Sequence, residues 1–176
     1  MIKHGNYIVL FLSLMVLFCR CGEQEDYYVI DGMKPKYVSM EMLENFEQMP
    51  PQPIENSGKS MLYKQYLFLS ELNKGIHIID LSDTLNPEKI YFLKIPANKD
   101  MSMQNDILYA DNGPYLLVLN VSDINHITVV QRIKDIFQPS EYEPMGYRGY
   151  FECADYNQQW LIGWEKTRIV NPRCKK

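Results

Sequence analysis

Short apolar runs separated by polar turn residues dominate the middle of the chain, from residue 60 to residue 136. These runs are rich in Ile, Val, Leu, Tyr and Phe and are bounded by Gly, Pro, Asn, Asp or Ser, which is typical of β-strands. Two of them, IHIIDL and LLVLNV, are almost continuously apolar, as expected for strands that are covered on both faces. The pattern predicts strands over residues 60–63, 66–69, 75–81, 89–95, 100–103, 107–110, 115–121 and 128–134.

The same unit occurs twice in this stretch. Residues 66–95 align without a gap with the stretch that begins at residue 106, at a constant offset of 40. Both copies place a Ser-Asp turn after the third strand, at Ser82-Asp83 and again at Ser122-Asp123. Such side chains bond nearby backbone N–H groups and so end a strand. Four strands recurring about every 40 residues match the blade of a β-propeller.

The first copy, GIHIIDLSDTLNPEKI, resembles the LVIVD repeat, a bacterial propeller-type repeat of the form strand, turn, strand, G-L-x-I-I-D-x-S-D, x-N-P, strand. The second copy is looser, with Asn120 in place of the Asp and with His126 and Ile127 where Asn-Pro would stand. The resemblance covers residues 60–136. It implies a propeller-type fold and a cell-envelope setting, and it implies no particular reaction.

A third unit begins near the C-terminus. Residues 151–155 align with residues 107–111 at an offset of 44, and residues 160–164 take the place of the third strand, but the Ser-Asp turn is missing. The predicted fold is therefore all-β. It is an incomplete β-propeller-like array of two four-stranded units and a partial third, with a short N-terminal helix. The units span about 60–98, 100–136 and 145–172.

Two and a half units are too few to close a propeller, and an unpaired edge invites another chain to pair with it. Three outcomes are open: a truncated or split relative of a longer protein, an oligomer, or an open β-array capped by the N-terminal helix and the C-terminal tail. We favour the first, because the sequence predicts no terminal strand that would latch a ring.

The N-terminus has the pattern of an export leader. Residues 1–20 start with Lys3 and His4 and continue with an apolar run over residues 8–18, which suits a signal peptide and is too short to span a membrane. The following cysteines resemble the lipidation site of a bacterial lipoprotein. We assign the lipid to Cys21 rather than Cys19, because an acidic stretch follows it. The alternatives are a cleaved soluble protein and an uncut leader.

The residues between the leader and the repeats, 21–59, predict a tether rather than a blade. Residues 27–30 fit a short strand, and Ser39 is suited to cap a helix over residues 40–48. Residues 49–58, MPPQPIENSG, form a Pro-rich spacer that is expected to be extended.

Composition narrows the function. The net charge is −4 and there is no basic stripe, which argues against a nucleic-acid partner. The 13 tyrosines fit an all-β protein. No complete catalytic motif occurs, so no catalytic residue is assigned.

Few residues are candidates for chemistry. Cys153 and Cys174 form an even pair in an exported chain, which predicts a disulfide; two reduced thiols are the alternative. Trp160, Trp164 and Tyr156 form an aromatic cluster that suits a ligand platform. At strand spacing, however, Trp160 and Trp164 share one face, and a core face is the competing interpretation.

The histidines and turn carboxylates do not predict a metal site. His77 lies within a strand, where it faces outward or fills a half-buried slot, and His126 lies at a turn; neither has a partner at zinc-ligand spacing. Asp80 and Asp83 are expected to cap their turn rather than to bind Ca²⁺. No metal and no cofactor are expected.

Together these features predict an exported lipoprotein of the bacterial outer membrane, periplasmic or surface-exposed, held to the membrane by its N-terminal lipid. We expect a non-catalytic binding or scaffold module for a protein or glycan ligand. Two alternatives stay open: an envelope enzyme that uses the repeats as a scaffold, and an inactive remnant of a longer propeller protein. A homo-oligomer or a partner chain could complete the propeller.

Overall fold

The structure, a computed structural model, describes residues 27–138, 143–155, 157 and 159–176. This part of the chain is almost entirely β-strand, which confirms the all-β prediction. The elements are β1 (Val29–Ser39), α1 (Met40–Leu43), β2 (Glu47–Met49), β3 (Ser57–Tyr63), β4 (Tyr66–Glu71), β5 (Gly75–Asp80), β6 (Glu88–Lys94), β7 (Met101–Gln104), β8 (Ile107–Asn112), β9 (Tyr115–Asn120), β10 (Thr128–Ile133), β11 (Tyr150–Phe151), β12 (Gln159–Val170) and β13 (Cys174–Lys175).

Three separate sheets form. The first has five strands in the order β2-β6-β5-β4-β3, and the second has four in the order β10-β9-β8-β7. The eight strands from β3 to β10 follow the predicted runs, and within each unit consecutive strands pair antiparallel. The two predicted four-stranded units are therefore present as two antiparallel meanders.

The two meanders repeat each other in detail. β6 carries a bulge at Ile90, between the pairs Ile78↔Tyr91 and Ile79↔Lys89. β10 carries its bulge at Val130, at the same offset of 40. A bulge increases the local twist of a strand, so both meanders bend at the same place.

The Ser-Asp turns also repeat. Asp80 Oδ1 accepts the backbone N–H of Ser82 at 2.7 Å, and Asn120 Oδ1 accepts that of Ser122 at 2.9 Å. Asp83 and Asp123 cap their turns in the same way, through Leu85 N and Asn125 N. The predicted turn-capping role is confirmed, and Asn120 fills it as well as an aspartate because only one acceptor oxygen is needed.

The main core lies between the first two sheets. Phe68, Ile76, Ile78 and Leu93 of the first sheet are fully buried, and Leu108, Leu117 and Leu119 of the second sheet pack in the same cluster. Adjacent bonds reinforce this packing. Tyr63 Oη donates to Asp106 Oδ1 at 3.1 Å, and Gln48 Nε2 donates to the carbonyl of Ile124 at 2.9 Å.

The third sheet differs from the predicted partial unit. Its order is β12-β1-β11-β13, so that β1 separates β11 from β12. β1 pairs antiparallel with β12 over its whole length, from Val29↔Val170 to Ser39↔Gln159, and it pairs parallel with β11 at Met33↔Phe151. The sequence predicted no terminal strand that would latch a ring; in the described residues, strands near both ends, β1 and β13, take part in this one sheet.

Residues 21–59 were predicted to be a tether with a short helix and a Pro-rich spacer, and their described part also contributes two strands to the sheets. β1 belongs to the third sheet and β2 extends the first, pairing Glu47↔Lys94 and Met49↔Phe92. The helix is only Met40–Leu43, capped as predicted by Ser39 Oγ, which accepts Met42 N at 3.2 Å. The helix ends early because the segment that follows forms β2 and pairs with β6. A long-range pairing of this kind overrides local helix propensity.

Candidate functional site

The predicted disulfide is present in the structure. Cys153 and Cys174 are bonded with a Cα–Cα distance of 5.3 Å. Cys174 pairs with Phe151 in the third sheet, so the bond ties β13 to the segment that follows β11. The predicted lipid attachment at Cys21, its alternative Cys19, and the ligand-platform residue Tyr156 lie outside the described residues.

The two tryptophans do not form one platform. β12 has an irregular register: Tyr37 pairs with Leu161 and Lys36 pairs with Gly163, which leaves Ile162 as an extra residue. The extra residue reverses the alternation of side chains along β12. Trp160 therefore shares a face with its partner Val38, and Trp164 lies on the opposite face. The prediction of a shared face was wrong because a bulge cannot be read from spacing alone.

Each tryptophan has its own surroundings. Trp160 packs beside a small cluster formed by Val38, Leu43, Ala97 and Tyr115, where the third sheet meets the second. Trp164 packs edge-on against Phe151, with 5.6 Å between ring centroids. Trp164 thus contributes to the core of the third sheet, while Trp160 lies at a junction between sheets.

An open apolar groove of about 400 Å³ lies between the third sheet and the first. Its walls come from separate parts of the sequence. One side is formed by β1, α1 and β12, and the other by β2, the β4–β5 turn, β6 and the loop after β6. The apolar wall residues are Tyr37, Val38, Met42, Met49, Phe92, Pro96 and Ile162. Cavities of this size bind small molecules or short peptide segments.

The polar residues at this groove are mostly paired. Lys74 forms an ion pair with Glu55, and this hydrogen bond raises the pKa of Lys74. Lys94 Nζ lies 3.8 Å from Glu47 Oε2. Asn73 differs, because its Oδ1 is buried and has no hydrogen-bond partner among the described residues. The groove therefore offers an apolar floor, a nearly neutral rim and one buried acceptor.

Sequence reasoning missed this groove because its residues appear unremarkable one by one. Tyr37, Val38, Met42 and Met49 all lie in the segment that the sequence predicted to be a tether. Their signal was the apolar spacing in residues 37–49, which was assigned to an isolated helix and a spacer.

A second cavity, of about 300 Å³, lies where the second and third sheets meet. Five loops and strands border it: the loop after β6, β8, the β8–β9 hairpin turn, the segment after β10, and β12. Its lining includes Ala97, Lys99, Asp111, Gly113, Phe137 and Trp160. We call this cavity the Asp111 cleft. The segment after β10 is held in place by backbone bonds, since Ile136 N and Phe137 N both donate to the carbonyl of Pro114, at 3.0 and 3.3 Å.

Asp111 is fixed in this cleft by three donors to one oxygen. Its Oδ1 accepts Asn98 Nδ2, Lys99 N and Asp100 N, each at 2.8 Å. Burial raises the pKa of Asp111; the backbone N–H bonds act in the opposite direction but do not outweigh it. The carboxylate is therefore rigidly oriented and poorly solvated.

Glu71 occupies the matching place in the first repeat. It lies 40 residues before Asp111, and both lie in the last two residues of the second strand of their unit. Glu71 accepts the backbone N–H groups of Glu55 at 3.1 Å and Asn56 at 2.5 Å, just before the first strand. Both carboxylates thus fasten the chain that enters their meander. The sequence signal was an acidic residue at the same repeat position.

His77 is placed differently from the prediction. It is fully buried rather than outward or half-buried, and its Nε2 lies 3.1 Å from Glu71 Oε2. Its ring packs against Phe92 with 4.8 Å between centroids. This pair lies in the interior of the first sheet, where it supports packing.

The described residues contain no group of three or more His, Cys, Asp or Glu side chains arranged to hold a metal ion. Within the same residues, no helix has both the length and the hydropathy that crossing a bilayer requires. No family model, no curated protein and no solved structure matches this chain.

Proposed function

We propose that this chain is an exported, lipid-anchored protein of the bacterial envelope that binds apolar peptide segments without chemical conversion. The proposal combines the leader pattern and the resemblance of residues 60–136 to the LVIVD repeat with the apolar groove. The groove carries the argument for binding, because it encloses about 400 Å³ and most of its lining residues are apolar. The chain forms three sheets, and two of them contain the repeated meander, which supports a propeller-like arrangement.

The walls of the groove favour an adaptable peptide site. Met42 and Met49 both line it, and methionine side chains fit varied apolar partners because they are unbranched and polarisable. The paired lysines at the rim give no strong preference for a charged ligand.

A substitution at Met42 tests this function. Met42 is 51% exposed, so Met42→Glu should leave the fold intact while placing a charge at the groove. Binding of a panel of synthetic apolar heptapeptides, followed by fluorescence anisotropy, should weaken about tenfold or more. Met145→Glu is the matched control, because Met145 is 77% exposed and does not line the groove. Absence of binding by the wild-type protein, or equal affinities of the two variants, would rule out the groove.

A partner chain that completes the propeller is a second candidate function. The outer edge of β6 is covered by β2, but the outer edge of β10 has no strand partner in the described residues. Val129 and Val130 on β10 are 43% and 57% exposed. A strand from a second copy or from another protein would cover this edge as β2 covers β6. Sedimentation equilibrium of the purified chain tests self-association, and a monomer at all concentrations would leave only a different partner.

The anchoring is tested by the leader cysteines. Cys21→Ser should release the protein from the detergent phase and from the membrane fraction, whereas Cys19→Ser should leave both unchanged. The reverse outcome would move the lipid to Cys19, and no change in either variant would contradict a lipid anchor.

A further inference from the structure

We infer that the Asp111 cleft is a second binding site, distinct from the apolar groove, and that its ligand is a neutral saccharide ring. The inference goes beyond the proposed peptide-binding function and does not depend on it, because the two cavities share no lining residue.

The cleft combines aromatic surface with polar groups. Trp160 and Phe137 line it together with Asp111 and Lys99. A saccharide ring has an apolar C–H face that packs on an aromatic side chain, and its hydroxyl groups both donate and accept hydrogen bonds. An aromatic wall beside polar side chains matches both properties.

The charges of the cleft argue against an ionic ligand. Asp111 disfavours an anion, and Lys99 disfavours a cation in the same cavity. Nearby, Lys59 Nζ lies 2.6 Å from Asp100 Oδ1, so the charges of these two side chains offset each other. A neutral, hydroxylated ligand satisfies both remaining groups, because a hydroxyl donates to a carboxylate and accepts from an ammonium group.

Asp111 is oriented as a recognition group should be. All three hydrogen bonds that the described residues make to its carboxylate go to Oδ1, so Oδ2 is left for a ligand hydroxyl. Since Oδ1 is fixed by Asn98 and by two backbone N–H groups, binding would cost little side-chain entropy. A hydrogen bond to a carboxylate in a poorly solvated place is also stronger than one in water.

Glycine at the β8–β9 turn lets the backbone pack closely against Leu43 and Trp160 at the border of the cleft. Gly113 has a φ of 64°, and a Cβ there would approach Leu43 Cδ1 at 2.8 Å and Trp160 Cγ at 3.3 Å. The left-handed backbone suits glycine, and the missing side chain lets Leu43 and Trp160 approach the turn without a clash.

The experiment measures saccharide binding to the full chain by isothermal titration calorimetry. The panel contains neutral mono- and disaccharides of the gluco, galacto and manno series with their N-acetylated forms; free arginine and inorganic phosphate are the cationic and anionic probes. At least one saccharide should bind with a Kd in the millimolar range or tighter, and neither ion should compete for the site.

Two substitutions locate the site. Asp111→Asn keeps an acceptor for the three donors on Oδ1 while removing the charge, and it should weaken binding about tenfold. Phe137→Leu, at a residue that is 37% exposed, should weaken it several-fold and should not disturb the core. Asp123→Asn is the matched control, because Asp123 caps a turn in the Ser-Asp motif and does not line the cleft.

Three outcomes would overturn the inference. The first is that no saccharide binds to the wild-type protein at concentrations up to about 10 mM. The second is binding that neither Asp111→Asn nor Phe137→Leu weakens. The third is selective binding of arginine or phosphate in place of any saccharide. Thermal melts identify a variant that fails to fold, and Phe137→Leu then decides the result.

Discussion

His77 Nε2 lies 3.1 Å from Glu71 Oε2, and the two side chains are 0% and 2% exposed. Glu71 also accepts the backbone N–H groups of Glu55 and Asn56. Burial alone would raise the pKa of Glu71, but the two backbone hydrogen bonds and the bond to His77 outweigh it, so that its pKa is lowered. An ionised carboxylate with three donors is stable in the interior, whereas the protonated form would leave donors unmatched.

The stability of the protein should therefore fall at acid pH. Because the pKa of Glu71 is lower in the folded state than its ordinary value of 4.5, the folded state binds the proton less tightly than the unfolded state. Ionised Glu71 then stabilises the fold above pH 4.5, and this contribution is lost as the pH falls towards the lowered folded pKa. Urea denaturation from neutral pH to about pH 3 measures the loss.

Glu71→Gln separates this residue from other acid effects. A glutamine offers one acceptor and an NH₂ group to the three donors, so the free energy of unfolding at neutral pH should fall by about 1–3 kcal/mol. Its acid dependence should be shallower than that of the wild-type protein. Glu55→Gln is the control, because Glu55 is exposed and its ion pair with Lys74 contributes about 0–1 kcal/mol. Equal acid dependence in all three proteins would contradict this role of Glu71.

The repeated unit could be predicted because its signals are local. The apolar runs, the Ser-Asp turns and the offset of 40 all lie within a few residues of the structure that they specify. The strands from β3 to β10 formed at the predicted apolar runs, and Asp80 and Asp83 capped their turn as expected. Such antiparallel meanders depend mostly on neighbouring residues in the chain.

The third sheet could not be predicted for the opposite reason. β1 contains Gly32 and Pro35, and strand interiors disfavour both residue types. It becomes a strand because β12 pairs with it along its length, more than 100 residues later in the sequence, as in the pair Val38↔Trp160. The same distance hid both cavities, since each is assembled from elements of different sheets.

Arg132 joins the second sheet to the short helix. Its guanidinium donates to the carbonyls of Leu43 at 2.7 Å and Glu44 at 3.1 Å, and it also bonds to Asn112 Oδ1. It lies over the ring of Tyr115, 5.5 Å from the centroid. These bonds satisfy carbonyl groups at the end of α1, which has too few residues to satisfy its own ends.

Arg132→Lys should destabilise the protein although it keeps the charge. A lysine ammonium cannot reproduce the planar fork that reaches two carbonyls and an amide oxygen. We expect the free energy of unfolding to fall by about 1–3 kcal/mol, measured by urea denaturation at neutral pH. Arg168→Lys, at an exposed position of β12, is the matched control and should change little. Similar losses in the two variants would show that Arg132 has no special role.

The disulfide should stabilise the C-terminal part of the third sheet. Cys153 and Cys174 are separated by 21 residues, and closing a loop of this length stabilises a fold by about 3 kcal/mol in the chain-entropy model. The parent for this test carries serine at positions 19 and 21. Relative to that parent, the free energy of unfolding of the double variant Cys153→Ser/Cys174→Ser should be lower by about 3 kcal/mol. Chemical reduction of the parent should have the same effect.

Hydrogen exchange shows where this loss is felt. Gly149 and Lys176 exchange backbone hydrogen bonds beside the β11–β13 pair, at 3.1 and 3.0 Å. Their amides should lose protection in the double serine variant, because the short pair Tyr150↔Lys175 and Phe151↔Cys174 has little other support. Amides of β4 and β5, such as those of Phe68 and Ile78, should stay protected and should exchange only through global unfolding. Equal loss of protection in both regions, or an unchanged urea midpoint on reduction, would contradict a local role for the bond.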